Sequence, residues 1–234
     1  MQPSLNQYSE EWFDYFLKEV PAQKTTLEVA FLARQFAPKS ILLDLCCGEG
    51  RHAAPMAALG FDVEGIDLNE RALQRAEKRG SRANFTLGDV RNHFLPDRSA
   101  HGIYCLWQSF GYYSTLENRR LLQDWQRALK PGGRLLLDVY NRDFFQGKDG
   151  VRSTGKVTES KRLKGNRLLA HLAYPNGTQD VFEWELFTLE ELKRAGEEAG
   201  LTLVLACTGF DEAKSPNKHE PRMQVVFQRP EYAN

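Results

Sequence analysis

Between residues 40 and 140, short apolar runs alternate with longer stretches whose apolar residues recur every three or four positions. The short runs have the length of strands, and the longer stretches have the period of amphipathic helices. The predicted strands are 40–45, 61–67, 83–89, 101–107 and 134–140. The predicted helices are 9–20, 22–37, 51–59, 69–80 and 115–130, with a turn at the "PGG" of residues 131–133.

After residue 140 the pattern changes. The turn signals "KGN" and "PNG" separate short alternating segments within residues 151–187, which predicts antiparallel hairpins. A helix at 188–200 and two strands, at 201–207 and 223–229, complete the chain. Strands separated by helices imply right-handed crossovers and a sheet covered on both faces. The predicted fold is therefore α/β, with a doubly wound, mostly parallel seven-stranded sheet and a small antiparallel β insertion.

Composition and charge exclude several classes of protein. Lysine plus arginine and aspartate plus glutamate balance at 31 each, so no net charge attracts nucleic acid or a membrane. The apolar runs are too short to cross a membrane, and residues 1–16 lack the basic start and apolar core of a signal peptide. Four cysteines show neither disulfide nor zinc spacing. We expect a cytoplasmic protein with reduced thiols, no metal and a single domain over residues 1–234.

The loop after the first predicted strand carries the strongest functional signal. Gly48 and Gly50 can bring the backbone close to a ligand, and the helix that follows presents free N–H groups. Carboxylates stand at three successive strand ends, at Asp44, Asp67 and Asp89. Such acids suit a nucleoside that carries positive charge and would repel a pyrophosphate. Read literally, however, residues 48–53 also satisfy the G-x-G-x-x-A dinucleotide pattern, so an NAD-dependent oxidoreductase stays an alternative.

Four segments, "LDLCCGEGRHA", "EGIDLNE", "LGDV" and "ALKPGGRLLLD", resemble the class I S-adenosylmethionine-dependent methyltransferases over roughly residues 20–142. The resemblance implies S-adenosylmethionine as cofactor, S-adenosylhomocysteine as product and a Rossmann-like fold. Cys46 stands where the family's D-x-G-x-G-x-G loop has its first glycine, so we expect an ordinary backbone conformation there. The positions that match the family's cofactor contacts are Asp44, Cys46, Gly48, Gly50, Asp67, Leu68, Asp89, Val90, Leu106 and Trp107.

In this family the acceptor enters beside the ends of the fourth and fifth strands. The resemblance therefore makes Tyr112, Tyr113, Asn141 and Arg222 candidates for the acceptor site, over which the insertion at 151–187 would lie. Residues 1–37 would form an N-terminal helical cap. Its aromatic residues either close over the cofactor as a lid or fasten the first helix to the sheet; these residues are Tyr8, Trp12 and Tyr15. His52, near the two cysteines, is expected on the outer face of its helix.

The expected partner is a small molecule that is methylated on oxygen or nitrogen. Residues 152–167 contain six basic residues and a single acid, Glu159. We interpret this segment as a charged edge hairpin rather than a nucleic-acid surface. The fourth strand ends in "CLWQSF", unlike the N-P-P-Y type of nucleobase-amine methyltransferases. A non-catalytic, S-adenosylmethionine-binding regulatory module is the second alternative.

Overall fold

The computed structural model describes residues 4–153 and 156–231. Its strands are β1 (Ile41–Leu45), β2 (Asp62–Asp67), β3 (Asn84–Leu87), β4 (Ala100–Cys105), β5 (Leu129–Tyr140), β6 (Gly150–Ser153), β7 (Thr158–Lys164), β8 (Arg167–Ala173), β9 (Gln179–Glu185), β10 (Thr202–Cys207) and β11 (Arg222–Gln228). Its α-helices are α1 (Glu10–Trp12), α2 (Ala22–Gln35), α3 (Ala53–Ala58), α4 (Glu70–Lys78), α5 (Thr115–Ala128), α6 (Arg142–Phe145) and α7 (Leu189–Glu198). None of the helices within these described ranges is long and apolar enough to cross a membrane.

Seven strands form the main sheet in the order β10-β11-β5-β4-β1-β2-β3. The first five strands of the chain run parallel, and β11 lies antiparallel between β5 and β10. The strand order reverses between β1 and β4, so the crevice for a ligand lies beyond the carboxyl ends of these two strands. A separate antiparallel sheet has the order β6-β7-β8-β9. The predicted fold class is confirmed.

Apolar side chains cover the main sheet on both faces. On one face α5 and α7 pack against the sheet around Trp125, which is 1% exposed. On the other, α2 and α3 pack around Phe31 and Met56. A third cluster lies beneath the antiparallel sheet and is built around Phe182 and Trp184. This third cluster joins the antiparallel sheet to the carboxyl edge of the main sheet.

Two predicted elements differ from those observed. The predicted helix at 9–20 is the short α1 followed by a π-helical turn over Phe13–Leu17, in which Lys18 N–H donates to the Phe13 carbonyl at 3.0 Å. The predicted turn at 131–133 lies inside β5. Pairing of β4 with β5 shifts register between Ala100 and Gly102, and this irregularity accommodates the proline and glycines within the strand.

Gly196 sets the distance between α7 and the sheet. A Cβ at this position would lie 2.3 Å from Cε1 of Phe227, whose side chain is fully buried in β11. We expect Gly196→Ala to lower the free energy of unfolding by about 1–3 kcal/mol, because overpacking outweighs the better helix propensity of alanine. Urea denaturation measures the change.

The matched control is Glu197→Ala, at an exposed position of the same helix. It should change the free energy of unfolding by no more than about 0.5 kcal/mol. A Gly196→Ala protein as stable as its parent would show that α7 can move away from the sheet without loss.

Candidate active site

The loop after β1 turns through three residues in the left-handed region. The φ angles of Cys46, Gly48 and Gly50 are 61°, 54° and 69°. The expected ordinary conformation at Cys46 is therefore wrong; packing of its half-buried side chain against the core offsets the strain. An added Cβ at Gly48 would meet nothing within 4 Å, whereas at Gly50 it would lie 2.6 Å from the Phe85 ring. Gly48 thus faces open space and Gly50 is packed.

The three strand-end carboxylates have different surroundings. Asp67 accepts hydrogen bonds from the backbone N–H groups of Gly48 at 2.7 Å and Asn69 at 2.8 Å, and burial raises its pKa. Asp44 is 2% exposed, and its Oδ2 atom has no hydrogen-bond partner among the described residues. Burial and the nearby charge of Asp67 raise the pKa of Asp44 well above its usual value. An unpaired buried carboxylate oxygen in this position fits a ligand's ammonium group.

Asp89 does not share this environment. Its carboxylate lies 2.6 Å from Nη2 of Arg91, and the hydrogen bonds from Arg91 lower its pKa although partial burial opposes ionisation. The Arg91 guanidinium in turn lies 4.6 Å from the centre of the Tyr113 ring. Tyr113 therefore packs beside the third carboxylate and not in the tyrosine cluster described below. Asp44 and Asp67 face the loop, and Asp89 stands apart as half of an ion pair.

A buried network of charges lies on the α2 side of this loop. Glu28 on α2 is fully buried and accepts from Arg51 at 2.6 Å, from His52 Nε2 at 2.9 Å and from the Trp107 indole N–H at 3.0 Å. Burial opposes the ionisation of Glu28, but the hydrogen bond and charge of His52, with Arg51, lower its pKa to about 2. His52 is 5% exposed, so the expectation that it lies on an outer face is wrong.

A second buried carboxylate continues the network into β5. Asp138 accepts from Arg222 at 2.9 Å, from Gln224 at 2.7 Å and from the backbone N–H of Trp107 at 3.0 Å. Arg222, an acceptor-site candidate, is held by this ion pair at the start of β11. The two anions thus fix the ends of α2, β4, β5 and β11 relative to one another.

Three cations surround the Trp107 ring. The Lys24 ammonium and the Arg51 and Arg222 guanidinium groups lie 4.7, 4.2 and 5.4 Å from its centre. Nη2 of Arg51 is buried without a partner among the described residues. Asp44 and Arg51 therefore offer an unpaired carboxyl oxygen and an unpaired guanidinium nitrogen, and the charge of Arg51 favours ionisation of Asp44.

Sequence reasoning missed Arg51, Glu28 and Asp138. A signal for the two carboxylates was available, because Glu28 interrupts the apolar stripe of "LEVAFLA" and Asp138 interrupts the apolar strand "LLLDVY". A charged residue inside a segment otherwise destined for the core needs partners, so each interruption indicates a buried polar network.

A cluster of tyrosine hydroxyls lies opposite the loop. The hydroxyl groups of Tyr8 and Tyr112 are hydrogen-bonded to each other, and the Tyr8 side chain interacts electrostatically with Tyr140, Cys46 and Asp67. Burial raises the pKa of all three tyrosines, that of Tyr140 to about 12. Around them stand the rings of Trp12, Phe182 and Trp184. The structure thus places Tyr112, an acceptor-site candidate, near Cys46 of the loop.

The N-terminal segment reaches this cluster because it is attached on two sides. Asn6 donates to the Tyr112 carbonyl at 3.0 Å and to that of Glu183 in β9 at 3.2 Å. On the other side, Glu10 pairs with Arg75 of α4 at 2.9 Å. Residues 6–10 therefore cross the site from the antiparallel sheet to α4.

The remaining predicted residues take varied positions. Asn141 is 2% exposed, caps α6 by accepting from Asp143 N–H, and donates to the Asn217 carbonyl at 2.9 Å, so it supports the loop 208–221. Leu68 is 61% exposed beside Asp67, whereas Leu106 is buried beneath Trp107. Val90 packs against the core. Tyr15 stacks on Tyr174 at 5.6 Å between ring centres and lies on the outer side of the third cluster.

The cysteines are not reactive groups. All four are free thiols. A hydrogen bond to Cys105 and burial raise the pKa of Cys46 well above its usual value, and burial also raises that of Cys47. Because the thiolate is the nucleophile, neither residue is suited to attack or to metal binding at neutral pH.

The chain is similar in sequence to known methyltransferases. Residues 42–133 match the family model described as a methyltransferase domain. The chain is 28% identical over 199 residues to dTDP-4-amino-2,3,4,6-tetradeoxy-D-glucose N,N-dimethyltransferase of Saccharopolyspora spinosa, covering 74% of this chain and 76% of the relative. It is 29% identical over 194 residues to dTDP-3-amino-3,4,6-trideoxy-alpha-D-glucopyranose N,N-dimethyltransferase of Streptomyces venezuelae, covering 74% and 81%.

Solved structures share the fold. An S-adenosylmethionine-bound amino pentose methyltransferase from Micromonospora echinaspora superposes with a TM-score of 0.69 at 22% identity, over 96% of this chain and 98% of that one. A methyltransferase from Streptomyces caelestis superposes with a TM-score of 0.79 at 18% identity, over 94% and 95%. At these identities the likeness concerns the fold alone.

The buried His52 makes stability depend on pH. Burial lowers its pKa from 6.5 to about 4, so between these values the unfolded chain binds a proton that the folded protein does not. This contribution is complete above the unfolded pKa and is lost as pH falls toward the folded pKa. We expect the free energy of unfolding to fall by about 2 kcal/mol more in the parent than in His52→Gln between roughly pH 6.5 and pH 5.

Urea denaturation at several pH values measures this difference. The exposed His219 provides the control, because His219→Gln should leave the pH dependence of the parent unchanged. Identical pH profiles for the parent and His52→Gln would mean that His52 titrates normally inside the protein.

Proposed function

We propose that this chain, which belongs to the class I S-adenosylmethionine-dependent methyltransferases, methylates an amine nitrogen of a small, sugar-like acceptor. S-adenosylmethionine supplies the methyl group. Support for the acceptor class comes from relatives named for N,N-dimethylation of dTDP-linked amino sugars and from a solved sugar N-methyltransferase that covers 98% of this chain. Neither the oxidoreductase nor the non-catalytic alternative is favoured by these relatives.

The cofactor fits the residues of the loop. In the proposed arrangement, Asp67 accepts hydrogen bonds from the ribose hydroxyls, and the exposed Leu68 packs against the adenine. Asp44 takes the ammonium group of the methionine part, and Arg51 takes its carboxylate. The unpartnered Oδ2 and Nη2 atoms support the last two assignments, since a zwitterion satisfies both at once.

The lack of a base favours nitrogen over oxygen as the methylated atom. A sugar hydroxyl must lose its proton to become a good nucleophile, whereas a neutral amine already offers a lone pair. Among the described residues around Tyr112, the tyrosines have raised pKa values, and His52, Glu28 and Asp138 are engaged in the buried network. The other nearby carboxylates, Asp44 and Asp67, are assigned to the cofactor, so no carboxylate or imidazole of the described residues is left to act as the base, and this observation carries the proposal.

The tyrosine hydroxyls have a positioning role in this scheme. A hydroxyl of Tyr8 or Tyr112 accepts a hydrogen bond from the amine N–H, which leaves the nitrogen lone pair directed at the methyl carbon. The surrounding aromatic rings stabilise positive charge, first on the sulfonium and then on the methylated ammonium. Residues 6–10 lie across the site and exclude water, so the segment acts as a lid.

Arg51 is expected to bind the carboxylate of the cofactor's methionine part. Arg51→Gln should weaken binding of S-adenosylhomocysteine about tenfold, because it removes a charged partner of the carboxylate. The same variant should bind 5′-methylthioadenosine, which lacks that carboxylate, as the parent does. Isothermal titration calorimetry measures both affinities.

Asp67→Asn is the matched variant, because Asp67 is proposed to bind the ribose, which both ligands contain. It should weaken both ligands by about 1–3 kcal/mol. Equal losses of affinity for the two ligands in Arg51→Gln would show that the carboxylate of the cofactor binds elsewhere.

The methylated product identifies the acceptor atom directly. Incubation with S-adenosylmethionine and an aminodeoxyhexose should give an N-methylated product by mass spectrometry and NMR, whereas the corresponding hydroxyhexose should give none. Tyr112→Phe should lower kcat by about tenfold or more, since it removes a hydrogen-bond acceptor for the amine. Methylation of the hydroxyl sugar at a comparable rate would contradict the proposal.

A further inference from the structure

An open cleft lies beside the tyrosine cluster and has no part in the scheme above. Its volume is about 380 Å³, and its walls come from α6, the segment after it, and strands β6 and β7. Phe145 closes its inner end, and three cations line it: Lys148, Arg152 and Lys161. A cleft of this size holds a small polar group and not a whole cofactor.

The cations of β6 and β7 lie on the inner face of the antiparallel sheet. Lys161 is paired across β8 with Phe182, and directly paired residues point to the same face. Arg152 is paired with Glu159, which lies two residues before Lys161 in β7 and therefore on the same face. Because Phe182 is buried in the third cluster, this face is the one that looks toward the active site.

The hairpin of β6 and β7 lies at the edge of the antiparallel sheet, and its edge strand, β6, carries Arg152. Strand β7 is paired on both sides, with β6 and with β8, so it is not an edge strand. Lys161 and Glu159 therefore do not protect an exposed edge from pairing with another chain. Charged residues on the inner face of a sheet need polar or charged partners, and a ligand can supply them.

The charges of the cleft are not balanced within it. Glu159 pairs with Lys161 at 2.8 Å, and Asp149 accepts from the backbone N–H of Leu163 at 2.8 Å. No carboxylate of the described residues forms an ion pair with Lys148 or Arg152. The Lys148 ammonium lies 3.2 Å from the centre of the Phe144 ring, so Lys148 and Arg152 are exposed cations without an anionic partner there.

Two packed aromatic rings, those of Phe145 and Tyr140, separate the cleft from the tyrosine cluster. The ring of Phe145 lies 5.1 Å, centre to centre, from that of Tyr140, which in turn lies 5.2 Å from Trp184 in the tyrosine cluster. The charge of Glu159 also acts on Tyr140, which carries one of the hydroxyls of that cluster. The two places are thus close enough for an acceptor that extends past these rings to have its nucleophile at the tyrosines and an anionic part in the cleft.

We propose that the cleft between α6 and strands β6–β7 binds a phosphate or diphosphate group of the acceptor through Lys148 and Arg152. The proposal rests on the proposed function, since it places the far end of the same acceptor. Lysine and arginine are the side chains that bind phosphoryl oxygens, and the pair next to Phe144 and Phe145 suits a phosphate carried on a larger molecule. A sugar phosphate and a nucleoside-diphosphate sugar share this chemistry.

The test measures binding to the S-adenosylhomocysteine-saturated protein by calorimetry with three probes: thymidine diphosphate, inorganic pyrophosphate and thymidine. The double variant Lys148→Ala/Arg152→Ala should lose about tenfold or more of the diphosphate affinity. The matched control is Arg162→Ala/Lys164→Ala, which removes the same charge from exposed residues on the outer face of β7. It should bind the probes as the parent does.

The outcomes separate the source of the phosphate from failure of the proposal. Tighter binding of thymidine diphosphate than of pyrophosphate indicates a nucleotide-linked acceptor, and equal binding indicates a simple sugar phosphate. Absence of binding by both anions, binding of thymidine alone, or equal loss in the two double variants would overturn the cleft assignment.

Failure of the proposed function has a different signature. If free and phosphorylated amino sugars are methylated with the same kcat/KM, and the cleft variant changes neither, the function stands and the cleft assignment falls. If diphosphate binds but no amine is methylated, the cleft assignment stands and the function falls. Circular dichroism of both double variants verifies that they are folded.

Discussion

The rest of the site depends on two buried carboxyl groups, Glu28 and Asp138. A buried anion is tolerated only where cations and hydrogen-bond donors surround it, and removing a single partner of such a group is strongly destabilising. The required partners come from the loop after β1, from Trp107 and from β11, so satisfying the charges fixes these elements together. The same constraint holds Arg51 in place, with one of its nitrogens left over for a ligand.

That arrangement divides the site into a rigid half and a half assembled from separate segments. On the rigid side, the loop and its carboxylates stand at the ends of parallel strands of one sheet. On the other side, Tyr112 follows β4, Trp184 belongs to the antiparallel sheet and Tyr8 precedes the first helix. Short contacts from Asn6 and Glu10 hold the last of these segments in place, and such local attachments open more easily than a packed core. In the proposed function, a ligand enters by displacing residues 6–10 while the loop after β1 stays in place.

In the proposed function, the antiparallel sheet supplies the acceptor site. Its inner face is apolar near the tyrosines, at Phe182 and Trp184, and charged farther out, at Lys161 and Arg152. A site with an aromatic end and a cationic end fits an acceptor that has a neutral nucleophile at one end and an anion at the other.

Sequence alone determined the alternation of strands and helices, the fold class and the loop between β1 and α3, because each follows from local periodicity and turn chemistry. It also predicted that Asp44 and Asp67 lie near each other, since parallel strands bring their carboxyl ends to one edge. Tertiary structure decided the left-handed turn at Cys46, the burial of His52 and the positions of Arg222 and Asn141. These depend on partners far away in the chain, such as Glu28 for His52 and Asp138 for Arg222. No local pattern encodes such pairs, because a buried charge finds its partner only when the whole sheet has formed.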